Sequence, residues 1–224
     1  STPKPSSAAS DVYKRQYTYS EMESLYREFC GRYADQIGRG NFPIVQEFIE
    51  GDGYGFFGLF VEGECLAYFM HRRVREYPPS GGPSAKACAY YDEELLSIGK
   101  RLFSALKWTG PVMAEFRRSY RDGKYYLLEI NPKFWGSLDL AVRSGADFPR
   151  FLVEFLMEGK VRFTGYKRDI CFRWLALDLA RVVKGGSFWD FALDLSTPSD
   201  CFLADPLPLF VQFLQGPSRM RAQR

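Results

Sequence analysis

An alternating strand-like stretch, Val112-Met113-Ala114-Glu115-Phe116, and a returning partner, Tyr125-Tyr126-Leu127-Leu128-Glu129-Ile130, flank an Asp122-Gly123 turn signal, and this pattern predicts a β-hairpin. Its register decides its chemistry. A three-residue loop Arg121-Asp122-Gly123 with Gly123 left-handed sets Glu115 directly opposite Glu129, and Asn131, two residues on, points to the same face. A two-residue Asp-Gly turn sets Glu115 against Ile130 instead and sends Glu129 to the other face. In the first register two carboxylates and an amide oxygen converge. These are hard oxygen donors of the kind Mg²⁺ accepts while it keeps waters or phosphate oxygens as its other ligands. Carboxylates so close repel one another unless a cation lies between them.

An acid on one strand followed by Glu129-Ile130-Asn131-Pro132-Lys133 on the next resembles the C-terminal half of the ATP-grasp fold. The resemblance implies that Glu115, Glu129 and Asn131 hold the Mg²⁺ ions of MgATP, with Mn²⁺ as the alternative ion. Residues 43–51, Pro-Ile-Val-Gln-Glu-Phe-Ile-Glu-Gly, are similar to the same family's hinge strand. There the backbone of Gln46, Glu47, Phe48 and Ile49 would read the adenine edge, and Glu50 or Asp52 would take the ribose hydroxyls. The segment from His71-Arg72-Arg73-Val74-Arg75 through Gly81-Gly82-Pro83-Ser84 is similar to a branch of ATP-dependent carboxylate–amine ligases.

The family reading implies an α+β, ATP-grasp architecture of antiparallel strands with flanking helices, which the order of the segments also suggests. Its activity would be amide formation between a small-molecule carboxylate and an amine through an acyl phosphate. Phosphoryl transfer to a hydroxyl, or a non-catalytic nucleotide-binding module, are the alternatives. Lys133 shares the face of Asn131 if the chain stays extended, and meets a phosphoryl oxygen there. Arg73 and Arg75, two apart on a strand, are candidates for phosphate or carboxylate recognition. His71, the only histidine, reads as a polar residue near the nucleotide rather than a general base. Gly51, Gly53 and Gly55 read as turn formers that break the hinge strand.

The ends read differently from the middle. Residues 6–16 match, letter for letter, the in-frame translation of a transposon-derived sequencing adapter, so residues 1–16 are set aside. The native sequence is expected to begin near Tyr17 within a longer protein whose front half supplies the phosphate-gripping lysines. Residues 17–160 then form the back half of the ATP-grasp domain, and residues 161–224 a small extension packed on it. Such a fragment is expected to be inactive by itself.

Helical spacing marks residues 19–36, with Ser20 as N-cap, and residues 92–107, 137–144 and 148–157, the last ended by Gly159. A hairpin is expected about Gly63, and a short apolar helix over residues 206–215. The net charge of +3 with interspersed acids gives no support to a nucleic-acid partner, and no apolar run suits a membrane span. Five cysteines without C-x-x-C spacing suggest reduced cytoplasmic thiols.

Overall fold

The computed structural model describes residues 21–77, 82–200 and Leu207. They fall into two compact units, one ending at Ile49 and the other beginning at Glu50. In the first unit, helix α1 (Met22–Arg32) is followed by the short α2 (Ala34–Ile37). Glu21 stands at the α1 N-cap without a side-chain cap bond, and Ser20 lies outside the described residues. Residues 41–50 carry no regular secondary structure, so the expected hinge strand is not formed. A strand needs a neighbouring strand for its N–H and C=O groups, and among the described residues no strand of the sheet forms a ladder with this segment.

The second unit is built on a six-stranded antiparallel sheet. In chain order its strands are β1 (Gly51–Val61), β2 (Glu64–Glu76), β3 (Ser84–Ala89), β4 (Gly110–Ser119), β5 (Tyr125–Asn131) and β6 (Cys171–Arg173). Across the sheet they lie in the order β5-β4-β1-β2-β3-β6. The glycine-rich stretch from Gly51 is therefore the start of the central strand and not a break. The hairpin about Gly63 is present, joining β1 to β2.

Alternation along the strands divides the core in two. Phe57, Leu59, Ala67, Phe69, Ala87 and Ala89 face Trp135 and helices α4 (Leu138–Arg143) and α5 (Phe148–Glu158) through Leu140, Phe148 and Phe151. Tyr54, Phe56, Phe60, Met70, Val112, Ala114 and Phe116 face the other side. There they pack on α3 (Glu93–Ala105) through Leu95, Leu96 and Phe103. Each fully buried phenylalanine contributes roughly 1.5–3 kcal/mol, so the aromatic content of the strands accounts for much of the driving force.

Asp92 caps α3 by accepting from the Leu95 amide at 3.0 Å, and Asp147 caps α5 from the Arg150 amide at 3.1 Å. Gly159 ends α5 in the left-handed conformation, as its position in the sequence suggests.

Beyond residue 160 the chain returns to the sheet. β6 adds to β3, and α6 (Leu175–Val183) and α7 (Phe188–Ala192) follow. The candidate helix over residues 206–215 lies, apart from Leu207, outside the described residues. No helix among the described residues is long and apolar enough to cross a membrane.

The β3–β6 pairing brings Cys88 opposite Cys171 with their Cα atoms 4.0 Å apart, and the two form a disulfide. This corrects the expectation of reduced thiols for Cys88 and Cys171, while Cys30 and Cys65 are free. Partners 83 positions apart leave no spacing signal, and the sheet alone makes them neighbours. Reduction is expected to lower unfolding free energy by about 2–4 kcal/mol, read as a shifted urea midpoint with and without reductant. A Cys88→Ala protein that keeps the oxidised midpoint would refute this.

Candidate functional site

The β4–β5 hairpin places Glu115 opposite Glu129, and Asn131 opposite Met113, so the acidic pair forms as the sequence suggests. The route differs. Gly123 is left-handed, at φ 70°, but the Ser119 amide donates to the Lys124 carbonyl, closing a loop of residues 120–123, one longer than expected. That loop alone would shift Glu115 off Glu129. A β-bulge between Glu115 and Phe116 restores the register.

Glu115 lies in a transverse row, Glu129–Glu115–Gly55–His71–Ala89, running across β5, β4, β1, β2 and β3. One step along the strands, Arg117 of β4 is opposite Gly53 of β1. Arg73 of β2 reaches over the central strand to Glu115, with Nη2 2.6 Å from Oε2. It can do so because β1 carries glycine beneath it. A Cβ on Gly53 would lie 2.8 Å from both Arg73 Cδ and Glu76 Oε1, and one on Gly55 2.9 Å from His71 Nε2. Gly53 thus keeps the floor of a polar groove clear, whereas Gly55 leaves room for the core ring of Phe57, whose Cζ would lie 2.4 Å from a Cβ there.

Glu76 and Arg117, which the sequence did not single out, complete the groove. Glu76 lies 3.4 Å from Arg73 and 3.5 Å from Arg117, and Arg117 also donates to the Gly51 carbonyl at 2.6 Å. The alternation that placed Glu115 also places Arg117, two residues on, on the same face. Glu76 follows an irregular stretch of β2 that hides its direction from the sequence.

Two guanidinium charges face the three carboxylates of Glu76, Glu115 and Glu129, leaving one negative charge. Burial pushes the Glu115 carboxyl above its ordinary pKa, Arg73 opposes that, and Glu129 and Glu76 add to it. The Asn131 amide donates to Glu129 at 2.7 Å. Two facing carboxylates and a neighbouring amide suit a hard divalent cation that takes its remaining oxygens from elsewhere. Among the described residues no group of three or more His, Cys, Asp or Glu side chains gathers for a metal, so a cation here would depend on those further oxygens.

Other expected site residues lie elsewhere. Arg75 is opposite Lys86 after a register shift between Arg73 and Arg75, and it pairs with Asp178 at 3.3 Å and with Asp194. The irregular strand parts two arginines that simple alternation would have put together. Asp52 precedes Gly53 on β1, so its side chain is on the face opposite Glu115, and it accepts from the Tyr120 hydroxyl at 2.7 Å. Glu50 is exposed. Gln46, Glu47, Phe48 and Ile49 belong to the first unit. β5 ends at Asn131, and the Lys133 amide turns back to the Asn131 carbonyl at 2.9 Å. The condition that put Lys133 on the face of Asn131, an extended chain, is not met.

His71 is buried, and its ring meets Phe57 edge-on at 4.8 Å. The reading of a polar residue beside a nucleotide gives way to a core imidazole whose Nδ1 has no hydrogen-bond partner. Burial, aided by the nearby Arg73 charge, pushes its pKa down to about 3. An unfolded histidine titrates near 6.5, so below that pH the unfolded chain binds a proton the folded chain refuses. Stability therefore falls as pH drops from 6.5 toward 3, by about 1.4 kcal/mol per unit at most. Urea unfolding at pH 6 and pH 5 should show a loss about 1 kcal/mol larger in the unmodified protein than in His71→Gln. Equal losses would refute a buried neutral His71.

No protein-family model and no curated protein matches the chain. Solved structures do. The biotin carboxylase domain of 2-oxoglutarate carboxylase from Hydrogenobacter thermophilus, solved with MgADP, ADP and bicarbonate, superposes with a TM-score of 0.52 at 14% identity. The match covers 68% of this chain and 35% of that one. The biotin carboxylase domain of a thermophilic 2-oxoglutarate carboxylase, bound to bicarbonate, gives 0.52 at 14% identity, over 69% and 36%. An L-amino acid ligase from Bacillus licheniformis matches at 20% identity over 50% and 30%, with a TM-score of 0.40 that is too slight to carry an argument. The chain thus spans about a third of the length of each. At these identities the likeness is one of fold.

Proposed function

We propose, from the premise that this chain carries part of the ATP-grasp fold, that it is the metal-binding portion of an ATP-dependent carboxylate–amine ligase. The observation that carries the reading is the opposition of Glu115 and Glu129 across β4 and β5, with Asn131 one step along. The fold neighbour solved with MgADP supports a magnesium nucleotide as the ligand.

Magnesium held by Glu115, Glu129 and Asn131 would neutralise charge on the phosphoryl oxygens of ATP. Arg73 and Arg117 line the same groove, where their N–H donors suit anionic oxygens. In the proposed reaction a substrate carboxylate oxygen attacks the γ-phosphorus, the bond to ADP breaks, and an acyl phosphate forms. An amine nitrogen then attacks the acyl carbon, phosphate leaves, and the nitrogen loses its proton. The groove offers electrostatic stabilisation and requires no nucleophilic side chain.

Calorimetric titration with a non-hydrolysable ATP analogue, with and without Mg²⁺, tests the reading on the chain as it stands. Binding that Mg²⁺ strengthens is the expected result. Affinity indifferent to Mg²⁺ in a folded protein would remove the metal site.

A further inference from the structure

Arg73 belongs to β2, yet its guanidinium pairs with Glu115 on β4, two strand spacings or about 10 Å away across the sheet. That reach is provided for. Gly53 leaves the path over β1 open, and a Cβ there would lie 2.8 Å from Arg73 Cδ. The Arg73 and Glu115 side chains are only 13% and 12% exposed, so water screens the pair poorly. Without such a cation Glu115 would be a nearly buried carboxylate opposite a second one, an arrangement of high cost.

While Nη2 pairs with Glu115, the other end of the Arg73 guanidinium already has partners. Its Nη1 donates to the Gly82 carbonyl at 3.0 Å and lies 3.4 Å from Glu76 Oε1. Glu76 in turn lies 3.5 Å from Arg117. Losing Glu115 would leave the guanidinium with a carboxylate and a carbonyl still in reach.

We infer that Arg73 is a built-in counter-ion for Glu115, and that a divalent cation entering between Glu115 and Glu129 displaces it toward Glu76 and Gly82. The inference rests on the metal reading proposed above and adds its regulation: cation uptake is an exchange, in competition with an internal charge. The apparent affinity for a bare cation is set below what the two carboxylates alone would give. The displaced guanidinium then presents donors beside the newly bound cation.

Mn²⁺ titration followed by electron paramagnetic resonance tests this on the full chain. Arg73→Gln is expected to bind Mn²⁺ about tenfold more tightly than the unmodified protein, within the usual range for coupled sites. Arg73→Lys, which keeps the charge, should remain near the unmodified affinity. Binding in both should vanish with Glu129→Gln. If Arg73→Gln binds Mn²⁺ equally or more weakly, the exchange is refuted while the metal site stands. If no protein binds Mn²⁺, the metal reading and the exchange fall together.

A second measurement needs no variant to fold in order to be read. The Arg73 side-chain Nε signal of the unmodified protein is followed by NMR during Mg²⁺ addition. Movement that saturates with the cation is expected, and a stationary signal under saturating Mg²⁺ overturns the exchange.

Discussion

Changing Glu129 to glutamine is expected to abolish the Mg²⁺-dependent part of nucleotide binding, a loss of about 2–3 kcal/mol, or roughly a hundredfold in affinity. The substitution keeps the side chain's shape and leaves a carbonyl that can still accept from the Asn131 amide, which now donates to Glu129 at 2.7 Å. What it removes is charge. The groove goes from three carboxylates against two guanidiniums to an even balance, and a hard cation loses one of its two anionic donors. Glu129 is a cleaner probe than Glu115, because removing the Glu115 charge would also release Arg73. In a protein that joins this segment to a nucleotide-gripping front half, turnover is expected to fall by about 10²–10³-fold, the range seen for single electrostatic groups. Calorimetry measures the first effect and ADP release the second. A Glu129→Gln protein with unchanged Mg²⁺ dependence would sink the metal assignment.

Replacing Asp178 by alanine is expected to destabilise the protein by about 3–5 kcal/mol. Asp178 is fully buried in α6, 3.1 Å from Arg181, 3.3 Å from Arg75 and 3.6 Å from Arg173. Among the described residues Arg75, Lys86, Arg173 and Arg181 form their salt bridges with Asp178 and Asp194, four cations on two carboxylates. Removing Asp178 takes the salt-bridge partner from Arg173 and Arg181 and leaves Arg75 with Asp194, in a poorly hydrated place. The cluster joins β2 and β6 to α6, and its loss should therefore loosen the sheet edge that β6 completes. Urea unfolding of Asp178→Ala and of the isosteric Asp178→Asn would measure it. A change below about 1 kcal/mol in both would mean that the network is worth no more than an exposed pair.

The candidate site was legible where chemistry and strand periodicity coincide. The opposition of Glu115 and Glu129 was expected from a three-residue turn and a period of two, and it is met through a longer loop and a compensating β-bulge that the sequence did not reveal. Helices α3 and α5 were legible from apolar spacing, and the end of α5 from Gly159; their caps Asp92 and Asp147 were seen only in the structure. Glu76 was not found, nor was the parting of Arg73 from Arg75, because irregularities in β2 break the alternation on which such inference depends. The role of Gly53 and Gly55 was misread for a related reason. Their value lies in what they leave room for: Arg73 and Glu76 of β2 above Gly53, and the ring of Phe57 above Gly55.

By itself, then, the sequence determined the elements governed by neighbours a few residues apart: the hairpins, the helices and the α+β class. Only the tertiary structure decided which distant segments touch. It paired Cys88 with Cys171, gathered Arg75, Arg173 and Arg181 around Asp178, and laid Arg73 across β1 onto Glu115. Local pattern is set by backbone geometry that repeats every two or every 3.6 residues. Long-range pairing is set by strand order and by single-residue bulges, and these depend on how the whole sheet buries its two faces.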